Sequence, residues 1–132
     1  MYGEDYDQYK KYKSDDKFRK DTDARKEYEL AFSKELDKLS KKEKEKKLNQ
    51  IMDSAIRYRQ EGVTDNKLII KAMKLDKGNI ASNRSIAAAV MANKAKDINS
   101  IDRYQKDLEK VIKPEEAEQI TDNAKKIGGF SI

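Results

Sequence analysis

The chain has 132 residues, a net charge of +5, and neither histidine nor cysteine. Charged residues make up 42% of it against 36% hydrophobic, so the length suits one small domain while the apolar material allows only a thin core. The missing residue types exclude Ser-His-Asp and Cys-His nucleophile systems, disulfides and ordinary zinc sites.

A single proline and five glycines leave little punctuation for strands and tight turns, and apolar residues recur at three- and four-residue intervals. The expected fold is therefore all-α: a bundle of five to six helices from residue 24 to 132, with a flexible tail over residues 1–23. The tail carries Tyr2, Tyr6, Tyr9 and Tyr12 among aspartates and lysines, with no aliphatic residue between Tyr2 and Ala24. Such a composition cannot stabilise a folded unit by itself. Its tyrosines are candidate anchors for a protein partner, and their interleaving with Lys10, Lys11 and Lys13 also suits single-stranded nucleic acid.

A first helix is predicted from Ala24 to Leu39, with Tyr28, Phe32, Leu36 and Leu39 on one face. Ser40 followed by Glu43 has capping-box spacing and starts a second helix. That helix turns Leu48, Ile51, Met52, Ala55 and Tyr58 inward and stops near Gly62, where a left-handed residue closes the last turn. Thr64 or Asp65 caps a third helix carrying Leu68, Ile69, Ala72 and Met73, ended by Gly78. A fourth helix follows Asn83, with Ile86, Ala89 and Val90 as its buried stripe. The fifth starts at Asn99 or Ser100 and buries Ile101, Tyr104, Leu108, Val111 and Ile112. Pro114 suits the first position of the last helix, which buries Ile120, Ala124 and Ile127 and ends at Gly128-Gly129.

The positive charge is concentrated in the middle of the chain. Residues 1–23 and 99–132 each carry a net charge of −1, residues 24–62 carry +3, and residues 63–98 carry +4. Lys67, Lys71 and Lys74 repeat at four and three and share a helical face, and Lys77 follows them. Few acids lie nearby, so this face suits phosphates, with an affinity sensitive to salt. The same pattern also serves plain solubility.

Residues 85–101 carry a partial helix-turn-helix pattern. Ala88 is small enough to let a second helix approach, and Ile98 and Ile101 fall ten and thirteen positions later, with Ala92 or Asn93 expected at the turn. In that arrangement Asn99, Ser100, Arg103 and Lys106 face the major groove, while Arg84, Lys94 and Lys96 meet the backbone. Asp102, Asp107 and Glu109 on the same helix oppose phosphate binding. Asp21-Thr22-Asp23 begins like a calcium loop, but Arg25 stands where a third oxygen ligand is needed.

The expected function is that of a non-enzymatic DNA-binding accessory or regulatory protein of the cytoplasm. Lysines outnumber arginines 24 to six, which fits attraction to phosphates better than bidentate reading of bases. The alternative is a helical protein-interaction module with no nucleic-acid role: an assembly factor, inhibitor or adaptor. No cofactor, metal, membrane or small-molecule substrate is expected, and self-association fits the thin core.

Overall fold

The computed structural model of the chain describes residues 14–76 and 81–129, and the elements among them are helical. They are α1 (residues 14–20), α2 (Thr22–Ala31), α3 (Ser33–Leu36), α4 (Lys41–Gln60), α5 (Asn66–Leu75), α6 (Asn83–Lys94), α7 (Ile98–Leu108) and α8 (Pro114–Gly128). No helix among the described residues is long and apolar enough to cross a membrane. The backbone divides into two compact units, Met1–Ile56 and Arg57–Ile132, with the division falling inside α4.

Among the described residues eight helices stand where five to six are expected, for two local reasons in the first unit. Residues 14–20 lie within the expected tail yet are helical, because Phe18 gives the segment an apolar side chain to bury; it is 7% exposed. Its ring meets Tyr28 edge-on, with centroids 6.1 Å apart and planes at 89°, a favoured aromatic geometry. Arg19 Nε donates to Asp53 Oδ1 at 2.7 Å, tying α1 to α4. Asp21 is the N-cap of α2, its carboxylate accepting from the amides of Asp23 (3.0 Å) and Ala24 (3.3 Å). The acids that suggest a calcium loop thus start a helix. The second reason is a break at Phe32, where φ −110° and ψ 24° divide the predicted Ala24–Leu39 helix into α2 and α3. Tyr28, Phe32 and Leu36 remain buried across the break.

At the head of α4, Ser40 Oγ accepts from the amide of Glu43 at 3.3 Å, as the capping spacing predicts. Lys44 Nζ lies 2.8 Å from Glu29 Oε1 and 3.5 Å from Asp37 Oδ1. These contacts, the Glu29 hydrogen bond first, raise its pKa above the usual lysine value. Leu48, Ile51, Met52 and Ala55 are buried and Tyr58 fully so. Gly62, at φ 92°, closes the end of α4 in a left-handed turn, and the Val63 amide donates back to the Tyr58 carbonyl at 3.1 Å.

In the second unit, α6 packs chiefly on α8, α8 also meets α7 and α5, and α5 meets α6. Much of the core is alanine: Ala72, Ala88, Ala89, Ala117 and Ala124 are all fully buried. Small side chains let the helices approach closely, and this is how a chain poor in large apolar residues still closes a core. Asp65 caps α5, accepting from the Lys67 amide at 2.9 Å, and Ser82 caps α6, accepting from the Ser85 amide at 3.1 Å. Gly78, the expected end of α5, lies outside the described residues; α5 is closed at Asp76. Pro114 opens α8 and Gly129, at φ 74°, closes it.

Two faces differ from expectation. The buried side of α6 is Ser85, Ala88, Ala89 and Ala92, together with Met91, while Ile86 and Val90 are only half-buried. In α7 only Ile101 is fully buried. That helix ends at Leu108, so Val111 and Ile112 fall beyond it and Val111 is 77% exposed.

Candidate nucleic-acid interface

The predicted cationic residues within the described parts of the chain are all exposed, but they fall into three groups. Lys67, Lys71 and Lys74 share one side of α5, and α5 makes no helix contact with α7. Arg84, on the first turn of α6, is held by α8: its guanidinium donates to Gln119 Oε1 at 3.1 Å and Glu116 Oε1 at 3.2 Å. The charge of Arg84 is therefore already matched. Lys77 and the four tyrosines Tyr2, Tyr6, Tyr9 and Tyr12 lie outside the described residues.

The third group gathers at α7. Asn99, Arg103 and Lys106 stand at i, i+4 and i+7, within about 60° of one another around the helix. The stripe lies on the side away from Ile101, the residue that seats α7 in the core. Lys94 ends α6, and Lys96 sits in the turn Ala95-Lys96-Asp97 that leads into α7. Five predicted residues are thereby placed on the end of α6, the turn and α7. Among the described residues none of Lys94, Lys96, Arg103 and Lys106 forms an ion pair.

The acids that argue against phosphate binding here are largely engaged. Asp102 Oδ1 is 3.3 Å from Lys125 Nζ on α8, and Asp107 is 3.8 Å from Lys110. Glu109 accepts from Gln105 at 3.2 Å. Asp97 caps α7, accepting from the Ser100 amide at 2.8 Å and the Ser100 hydroxyl at 3.0 Å. Those hydrogen bonds, the amide first, hold its pKa below the usual aspartate value.

The turn that the helix-turn-helix pattern places at Ala92 or Asn93 is not found there. Ala92 and Asn93 remain inside α6, Ala92 being buried, and the connection falls at residues 95–97. Ala88 and Ile101 are fully buried, as the motif needs, whereas Ile98 is half-buried. The physical cause is capping. Nothing in Ala92-Asn93 stops a helix, while Asp97 offers a strong N-cap four residues later.

A second feature adjoins α7 and was not anticipated from the sequence. An open groove of about 700 Å³ runs along α6, with Ile86, Ala87, Val90 and Met91 on one side and Tyr104 and Leu108 of α7 on the other. Arg57, Glu61, Lys94 and Asp107 also line it. The signal was present in α6, which carries apolar residues on two opposite sides: Ala88, Ala89 and Ala92 on one, Ile86, Ala87 and Val90 on the other. One core face needs only the first set. No family model matches the chain, and no curated protein and no solved structure matches it.

Proposed function

We propose that the protein is a non-enzymatic DNA-binding accessory protein that grips phosphates through α7 and the turn before it. The observation that carries this reading is the exposed stripe Asn99, Arg103 and Lys106, continued by Lys94 and Lys96, with Asp97 and Asp102 engaged elsewhere. In this reading α6, the three-residue turn and α7 act as a helix-turn-helix whose turn is displaced toward the C-terminus, and α7 is the helix laid against the duplex. Lysine contacts give attraction to the backbone, while Arg103 and Asn99 are the side chains suited to base edges, so the expected sequence preference is weak. The lysine face of α5 supplies a second, separate contact.

The test is fluorescence anisotropy of the full chain with a labelled duplex across a salt series. Each phosphate contact contributes about 0.9 to the slope of log K against log salt. Replacing Arg103 and Lys106 together by glutamate is expected to weaken binding at least tenfold and lower the slope by about two. Lys67→Glu with Lys71→Glu is expected to have a smaller effect. No binding at low salt, or binding by the Arg103/Lys106 variant within twofold of wild type, would refute the proposal.

A further inference from the structure

We infer that, given the DNA binding proposed above on which this rests, the second unit bridges two duplexes, holding one on the α7 stripe and the other on the lysine face of α5. The charge of α5 suits that role. It carries Lys67, Lys71 and Lys74 and no acid, whereas α4, α7 and α8 carry both signs. The three lysines are exposed and fall within about 60° of one another around the helix, on the side away from the buried Ile69 and Met73. The aspartates that flank α5 are turned to backbone amides: Asp65 accepts from the Lys67 amide and Asp76 from the Ser82 amide, both at 2.9 Å. What remains on the outer side of α5 is a row of cations, which attracts phosphates without reading bases.

Helix packing keeps the two cationic faces from sharing one straight duplex. Both α5 and α7 pack on α8, but on different sides of it. Ile120, Asn123 and Ile127 of α8 line a cavity of about 400 Å³ with Ala72, Leu75 and Asp76 of α5. Toward α7, Thr121 Oγ1 lies 3.2 Å from Gln105 Oε1, and Lys125 pairs with Asp102 at 3.3 Å. Around α8 the centres of these two sets are about 150° apart. At the usual interaxial distance of about 9 Å, the axes of α5 and α7 then lie about 17 Å apart, and the two helices do not touch. Each stripe points outward, so the two cationic faces are about 28 Å apart and look away from each other. A duplex is stiff over about 150 base pairs, so one laid along α7 runs on past the unit and does not turn back to α5. The phosphates left for α5 are those of a second duplex.

The experiment captures a labelled duplex from solution onto beads that carry an unlabelled one, at low salt, with the full chain as the only link. Anisotropy with a single duplex runs alongside it. The wild-type chain is expected to bind the single duplex and to capture the second. Lys67→Glu with Lys71→Glu is expected to keep single-duplex affinity within threefold, which also shows that the variant is folded, and to lose at least tenfold in capture. Arg103→Glu with Lys106→Glu is expected to lose at least tenfold in both. Three results would each overturn the inference and leave DNA binding in place: single-duplex binding without capture, capture by the Lys67/Lys71 variant within twofold of wild type, or an equal loss of affinity and capture in that variant. The second of these assigns the bridge to two copies of the chain joined to each other, and the third puts both faces on one duplex. A wild-type chain that binds no duplex at low salt would sink the DNA reading and the bridge with it.

Discussion

Ser85→Ala should be among the more damaging single-atom deletions in the second unit. Ser85 is 6% exposed, and its hydroxyl donates to the Ala72 carbonyl at 3.0 Å. Its single proton is thereby used, so the 2.6 Å contact with Tyr58 Oη is one in which the tyrosine donates. Removing Oγ leaves the Tyr58 hydroxyl, on a fully buried side chain, without an acceptor. That desolvated group costs about 1–3 kcal/mol. The Ala72 carbonyl loses less, because it still accepts from the Asp76 amide at 3.2 Å. A total near 2 kcal/mol corresponds to a fall in Tm of about 8–16 °C for a domain of this size. The assay is denaturant unfolding followed by far-UV circular dichroism, run as a double-mutant cycle with Tyr58→Phe. Phenylalanine alone should cost about 1 kcal/mol, but added to Ser85→Ala it should restore stability by removing the stranded hydroxyl. If Tyr58→Phe costs the same in both backgrounds, the two hydroxyls are not coupled and the reasoning fails. The pH dependence has a definite sign. Burial raises the Tyr58 pKa above the usual 10.0, partly offset by the Ser85 hydrogen bond. The associated stability is therefore intact below pH 10 and is lost as pH rises from there toward the folded-state value, and Tyr58→Phe removes that loss.

Phe18→Ala is expected to destabilise the first unit by about 3 kcal/mol, the lower part of the range for buried aromatic truncations, since α1 is short. A cost below 1 kcal/mol in denaturant unfolding would mean that residues 14–20 contribute no packing. For α7, the depressed pKa of Asp97 means that its capping contribution is present above the unfolded aspartate value and is lost as pH falls through the folded one. The protection factor of the Ser100 amide against hydrogen exchange should therefore fall as pH drops from about 4 through the folded-state value in the wild type. Asp97→Asn keeps a capping oxygen without the titration, so its protection should be flat with pH, and Asp97→Ala should lose protection throughout.

The class of fold and most helix boundaries were legible because they depend on short-range chemistry. Ser40 with Glu43, Asp65, Pro114, Gly62 and the Gly128-Gly129 pair all act within one turn of where they stand. What depended on long-range packing was not legible. No glycine or proline marks the break at Phe32, which is visible only in its backbone angles. Phe18 is one apolar residue in a charged stretch, and its burial depends on Tyr28 ten residues away. The face of α6 was misjudged for a different reason. Periodicity identifies Ile86, Ala89 and Val90 as the inward set; Ala89 is buried as expected, but beside it the closest helix approach selects the smaller Ser85, Ala88 and Ala92 rather than Ile86 and Val90. The cationic site shows the same division. Exposure of Arg84 followed from its position, while its pairing with Glu116 and Gln119, more than thirty residues away, did not.

The length of α7 explains how the second unit carries two distinct surfaces on little material. Of its eleven residues only Ile101 is fully buried. A helix of three turns anchored this lightly in the core has two remaining sides to offer, and its sequence differentiates them. Asn99, Arg103 and Lys106 form the side away from the core, polar and cationic, whereas Tyr104, Asp107 and Leu108 line the groove with α6. The inward set read from the sequence merged the anchor with the groove side, since Ile101, Tyr104 and Leu108 are all apolar at helical spacing. Separating them changes what the helix is for. A residue such as Tyr104 that only filled the core would need its hydroxyl satisfied internally, as Tyr58 does through Ser85. Tyr104 instead keeps its hydroxyl at an accessible rim. Lys94 is the one residue common to the cationic stretch and the groove. Arg103 and Lys106 are outside the groove lining, so charge reversal at these two leaves that lining unchanged.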